Sequence, residues 1–294
     1  VMREFIVQAE QESKDSTRVI AMFDRMLRQD PDDDQVPMLY AQYLLSKGME
    51  KESIPVLKQV LQIDPTNTAA RMTLLGSAIR KNDFQEVIGL CEPGIEANPE
   101  SLEFYYYLGI AYYQAERLDD ALAIYQRALQ HVTADSKKEV VSDFYSMMGD
   151  IYHSKDKMAE AYAAYDSALV YNPSNIGALN NYAYYLSVER RELDKAEEMS
   201  FKTVKAEPKN STYLDTYAWI LFEKGNYAEA RIYIDEALKN GGEQSDVIVE
   251  HSGDIYYMTG DVENALKFWK KALEMGSKSA TIKKKIEQKK YITE

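Results

Sequence analysis

Glu250, His251 and Asp254 fall within about one turn of an amphipathic stretch, and Asp150 and His153 stand three residues apart on another. Residues at i and i+3 or i+4 share a helix face, so each set brings carboxylate and imidazole groups to one side. The chemistry open to such sets is metal ligation. They supply too few ligands and no visible supporting shell, so polar side chains on amphipathic helices are the simpler account. No metal and no other cofactor is expected. Cys91, the single cysteine, occupies an apolar stripe and reads as a buried hydrophobe rather than a nucleophile. One cysteine also excludes an internal disulfide and a cysteine-cluster zinc site. The chain lacks a nucleophile motif, a phosphate-binding glycine loop and a dinucleotide fingerprint. No enzymatic activity is expected.

The elements that must position these residues are copies of one unit. From Ser142 to Ser174, Tyr145, Met148 and Tyr152 recur at helical spacing, Lys155-Asp-Lys interrupts, and Ala161, Tyr165, Ala168 and Leu169 resume the pattern before Pro173. This predicts two short helices and a stop. Gly149 and Ala161 are placed where the two helices cross, small enough for close backbone approach. Pro31, Pro65 and Pro99 fall 34 residues apart, each closing a segment of the same texture. Thr133 stands where a proline would close 102–135, and extra residues, 136–141, precede the next copy. Asp135 or Ser136 is the expected cap of a longer first helix there.

These segments resemble the tetratricopeptide repeat, a helix-turn-helix family with this 34-residue pattern of small, aromatic and proline positions. Seven copies are recognised, 34–67, 68–101, 102–135, 142–175, 176–210, 211–244 and 246–279, after a degenerate first repeat over 1–33. The resemblance implies an all-α fold, a right-handed superhelix (solenoid) of stacked hairpins. Residues 280–294 are expected to cap it as a helix, with Ile282 and Ile286 inward and Lys283, Lys284, Lys285, Lys289 and Lys290 solvating it. Pro37, Arg71, Leu179, Leu214 and Val249 depart from the family's aromatic preference, and Leu75 and Val87 stand where it prefers small residues.

In this family the first helices line a concave wall that is the usual ligand surface. Carrying that stripe onto the chain names Tyr106, Tyr113, Asp150, His153, Asn180, Asn181, Tyr184, Asp215, Trp219, Phe222, Glu250, Asp254 and Tyr257. Aromatic and acidic groups dominate, which suits a protein or peptide partner offering apolar anchors and a lysine or arginine. The competing account is that the aromatics, among 23 tyrosines, pack between hairpins. Asp150 and Asp254 share the string Gly-Asp-Ile-Tyr and read as scaffold. Asn180 and Asn181 suit the family's clamp for a C-terminal carboxylate, but Ser146, Asp215, Glu250 and His251 stand where its cations would be, so that clamp is rejected.

The net charge of −13 argues against nucleic acid, which needs a basic surface. The charge is uneven: residues from Gly276 onward carry +4. No run approaches the roughly 20 apolar residues of a membrane span. The expected function is a non-catalytic interaction scaffold. The alternatives are a structural spacer or oligomerisation arm of a larger assembly, homo-oligomeric or not, and an accessory module of a longer protein. A first helix with Phe5-Ile-Val in a row suggests further repeats upstream. The texture of 176–244 resembles bacterial members of the family, which leaves the compartment open between the cytoplasm and the cell envelope, with a tilt towards the envelope.

Overall fold

The computed structural model describes residues 16–31, 33 and 35–293. The described residues form helices and connecting turns, with no strand among them. They divide into two compact units, residues up to Ser136 and residues from Lys137 onward. The first holds α1 (Ser16–Gln29), α2 (Gln35–Ser46), α3 (Glu50–Ile63), α4 (Thr68–Arg80), α5 (Phe84–Ala97), α6 (Leu102–Gln114) and α7 (Leu118–Leu129). The second holds α8 (Lys138–Ser154), α9 (Met158–Tyr171), α10 (Ile176–Val188), α11 (Leu193–Ala206), α12 (Ser211–Glu223), α13 (Tyr227–Lys239), α14 (Asp246–Met258), α15 (Val262–Met275) and α16 (Ile282–Gln288). Within each unit successive helices pack on one another, as helices joined by short turns do, and each unit is an all-α stack of hairpins. Phe5, Ile6 and Val7 lie outside the described residues, so of the degenerate first segment chiefly α1 is seen.

One turn recurs between the first and second helix of each hairpin. Gly48, Asn82, Glu116, Asp156, Arg190, Gly225 and Gly260 all take positive φ at that point. Left-handed backbone costs a non-glycine residue roughly 1–2 kcal/mol. Asn, Glu, Asp and Arg are nevertheless held there, so hairpin packing outweighs that cost. Three hairpins begin on asparagine caps: Asn67, Asn175 and Asn210 each sit two residues after a proline and accept an N–H of the following first turn. Such caps are worth about 0.5–2 kcal/mol each. The predicted cap of α8 is corrected. That helix, at 17 residues the longest among the described residues, starts after Lys137 with no side-chain cap, while Ser136 Oγ accepts the Thr133 N–H at 2.9 Å and closes the preceding turn.

The crossing of the two helices is governed by rings. A Cβ on Gly109 would stand 2.2 Å from Cζ of Tyr125, one on Gly149 2.7 Å from Cε1 of Tyr165, and one on Gly253 2.4 Å from Cδ1 of Trp269. Each ring comes sixteen residues after its glycine. The expectation that Gly149 meets Ala161 for close backbone approach is therefore corrected: the glycine makes room for a fully buried aromatic. Where the first position is alanine, as at Ala41 and Ala218, the partner sixteen residues on is aliphatic, Leu57 and Ile234. Leu75, large for its place, faces the register of the small Cys91, whose thiol is pushed up to about 12 by burial. Large and small alternate so that each crossing fills to interior density.

Tyrosines join neighbouring hairpins. Tyr182 stacks on both Tyr162 and Tyr165, with centroids 5.4 and 5.3 Å away, and Tyr217 meets Phe201 of the preceding hairpin at 6.0 Å. Phe23 of α1 stacks on Tyr40 of α2 at 4.8 Å. Arg71, where an aromatic would be expected, is buried and gives its guanidinium N–H groups to the carbonyls of Leu90 (3.1 Å) and Pro65 (2.6 Å).

Candidate functional site

In the second unit the first helices α10, α12 and α14 lie side by side. Beside them is a cavity of about 560 Å³. Tyr184 and Val188 reach it from α10, Trp219 and Glu223 from α12, Asp246, Val247 and His251 from α14, and Gly276–Ser279, Tyr291 and Ile292 from the C-terminal segment. Val188 and Val247 leave about half of their surface in solvent, 53% and 46%. The Trp219 indole stacks on Phe222 at 4.7 Å and on His251 at 4.1 Å, and stays half-buried. Glu189 and Asp246 add acidic groups to the wall, and Arg190 pairs with Glu223 at 2.7 Å.

Behind the cavity is a buried charged network. His251 Nδ1 lies 2.9 Å from Asp215 Oδ1, both groups almost without solvent. Burial alone would lower the imidazole; Asp215, then Asp254 and Glu250, outweigh it and hold His251 above the ordinary histidine value. Lys285, 3% exposed, spans Glu250 Oε1 at 2.9 Å and Asp254 Oδ2 at 2.8 Å. Glu250 also accepts from Ser277 Oγ at 2.7 Å, and Asp254 from the Trp269 indole N–H at 2.8 Å. Burial raises Asp254 to about 6 against the pull of Lys285. Glu250 is held below the ordinary range: burial opposes this, but Lys285 and Ser277 prevail.

The raised His251 value carries a sign. Because the folded state binds the proton more tightly than the unfolded chain, the stability it contributes is complete below about pH 6.5 and is lost as pH rises through the folded value. We expect the urea midpoint of the second unit, followed by tryptophan fluorescence, to fall between pH 6 and pH 9. His251→Gln should flatten that fall; an unchanged slope in the variant would assign the pH dependence to other groups.

The C-terminal end departs from expectation. The helix predicted over 280–294 is only seven residues long, and the chain beyond Lys289, itself at positive φ, runs back to α12. Ile282 is buried and Ile286 partly so, as predicted. Lys285 does not solvate the cap, because the carboxylates of α14 draw it inside, whereas Lys283, Lys284, Lys289 and Lys290 are exposed. Tyr291 packs edge-on against Phe222 at 5.3 Å and lines the cavity beside Arg190.

Models of the tetratricopeptide repeat match residues 77–138, and residues 142–175 and 212–240. A tetratricopeptide repeat protein from Parabacteroides merdae superposes with a TM-score of 0.59 at 18% identity, over 87% of this chain and 98% of that one. The chain carries tetratricopeptide repeats. A chain of the APC/C hetero-tetramer Cut9–Hcn1 gives a TM-score of 0.68 at 11% identity over 94% of this chain, which spans only 52% of that longer one. PilF of Pseudomonas aeruginosa gives 0.52 at 18% identity, over 63% of this chain and 80% of that one. At these identities the likeness is one of fold. No curated protein matches the sequence.

The stripe carried over from the tetratricopeptide family is divided by the structure. Tyr106 and Tyr113 lie in the first unit, both half-buried, Tyr106 edge-on to Tyr107 at 5.3 Å. The others lie in the second unit. Asp150 accepts from Tyr165 Oη and from Asn181 Nδ2, the latter at 3.0 Å, and burial raises its carboxyl. It bonds the same ring that fills the space over Gly149, as Asp254 bonds the indole over Gly253. His153 stacks on Tyr185 at 3.5 Å, with burial lowering its imidazole. Asn180 is buried and donates to Asn181, and Tyr257 lies 5.8 Å from Trp269. Tyr184, Trp219, Glu250, His251 and Asp254 are brought together at the cavity; Asp215, Phe222, Glu250 and Asp254 are buried rather than facing solvent. The stripe omitted Val188, Glu189, Asp246, Val247, Lys285 and Tyr291. Val188, Glu189, Asp246 and Val247 sit at helix ends, off the repeating stripe, and no sequence signal marks them. Among the described residues no group of three or more His, Cys, Asp or Glu could hold a metal, and no helix is long and apolar enough to cross a membrane.

Proposed function

We propose that this tetratricopeptide repeat protein is a non-catalytic scaffold that takes a peptide segment of a protein partner on the face formed by α10, α12 and α14. The carrying observation is the cavity itself, where half-buried Tyr184 and Trp219 and exposed Val188 and Val247 meet the carboxylates of Glu189 and Asp246. Apolar surface beside carboxylates favours a segment with apolar anchors and a basic side chain, through aromatic burial and charge-assisted contact. Buried Asp215 holds α12 to α14 through His251, and the partner meets the residues around that pair. The division into seven repeats over 34–279, after a degenerate first one, is part of this reading. Tyr106 and Tyr113 are candidate anchors in the first unit by the same logic of the stripe.

The exposed valines make the test clean, because changing them leaves the core alone. Peptides selected from a random library on the full chain should bind Val188→Lys and Val247→Lys about tenfold or more weaker, a loss of about 1.4 kcal/mol. A change at Ile232, exposed on α13, should leave affinity as it is. Equal affinity for all three variants and the parent would move the interface elsewhere.

A further inference from the structure

The residues after Met275 do more than close the last hairpin. Lys285 lies over two first-helix carboxylates of α14, Glu250 and Asp254, and Tyr291 lies against Phe222 of the preceding first helix, α12, within reach of Arg190 just beyond α10. The segment thus crosses successive first helices, along the course a bound peptide would take. Its chemistry is a cation for the carboxylates and, six residues on, an aromatic ring for an aromatic shelf. The wall it covers is acidic, and it is itself drawn from the one basic stretch of an acidic chain. The Lys285 ammonium also faces the Tyr291 ring at 5.5 Å, so the two groups are presented together.

Resting on the reading of this face as the binding surface, we infer that residues 282–292 occupy in cis the seat of a partner segment. That partner presents a lysine or arginine to Glu250 and Asp254 and an aromatic side chain to Phe222 about six residues later. The bound strap keeps the face closed, and a partner of matching chemistry binds by replacing it. Affinity measured on the intact chain is then reduced by the fraction of molecules in which the strap is released.

The probe is a fluorescent synthetic peptide with the sequence of residues 282–293, titrated by anisotropy into the full chain. Tyr291→Ala removes the strap's outer anchor, and Arg190→Gln loosens the same anchor from the exposed side, its loss of the Glu223 pair being followed separately by urea unfolding. Both variants should bind the peptide at least about tenfold tighter than the parent, as expected when the competent fraction rises by that factor. Peptides with glutamine in place of Lys285, or alanine in place of Tyr291, should not bind. Hydrogen exchange should show protection lost in 282–293 and kept in α12 and α14. Equal affinity for parent and variants, or no binding to any of them, overturns the proposal. A concentration-dependent dimer of Tyr291→Ala would also overturn it and give the seat to the strap of a second copy. Failure of the underlying reading looks different: Val188→Lys and Val247→Lys would then leave selected peptides bound as before, whatever the strap does.

Discussion

Lys285→Met is expected to destabilise the second unit by about 3–5 kcal/mol near neutral pH, because it leaves two buried carboxylates without their cation. Glu250 and Asp254 are 7% and 1% exposed, so water cannot take the place of the ammonium. The loss should depend on pH in a definite direction. Asp254 already stands at about 6 with Lys285 present, and removing the cation moves it higher. Its folded value then lies above its unfolded one. The ionised carboxylate costs stability above the folded value, and the cost disappears as pH falls through it. Urea unfolding should therefore show the variant far below the parent at pH 8 and closer to it near pH 5. Lys285→Met combined with Glu250→Gln and Asp254→Asn should recover most of the loss at pH 8, since no buried charge is left unpaired. If the single variant is as stable as the parent at pH 8, Lys285 is solvated and the network does not exist as described.

Tyr125→Ala should cost the first unit about 3–5 kcal/mol, the range for emptying a buried aromatic site. The neighbouring glycine makes the prediction sharper. Gly109→Ala would gain about 1 kcal/mol of helix propensity in isolation, yet its Cβ would lie 2.5 Å from Cε1 of a ring that has no exposed surface to move into. Overpacking of this kind costs about 1–3 kcal/mol, so Gly109→Ala is expected to be neutral to destabilising despite the propensity. Combining Gly109→Ala with Tyr125→Leu rebuilds the pairing already present at Ala41 and Leu57 and should be more stable than the sum of the single changes. A thermodynamic cycle in urea measures that coupling, expected within about 0.5–3 kcal/mol. Strict additivity would mean the two side chains do not share a space.

These two predictions divide along what the chain discloses by itself. The hairpins were legible because their signals are local: the prolines two residues before Asn67, Asn175 and Asn210, the glycines at Gly225 and Gly260, and apolar residues at helical spacing act within a turn or two. That Asp150 and Asp254 take matching places was also legible, since a residue shared by two copies answers to what the copies share: each bonds the ring that fills its own hairpin's crossing. The ring over Gly149 is not legible, because the side chain filling a crossing is chosen by volume, and a pattern of small positions does not say which ring lies over them.

The C-terminal end shows the limit most clearly. Six lysines in the last nineteen residues read as a solvated face, and for Lys283, Lys284, Lys289 and Lys290 that holds. Lys285 carries the same charge on the same short helix, and no local pattern separates it from its neighbours. Its position was decided by Glu250 and Asp254, 35 and 31 residues earlier, which sit at the right height on α14 to draw in one ammonium. Order of elements, hairpin pairing and most of the core were set by the sequence, because they follow from periodicity and turn chemistry. Which acids stay at the surface and which are spent inside the protein was decided by tertiary structure alone, because a charge is buried only when distant segments bring it a counter-charge.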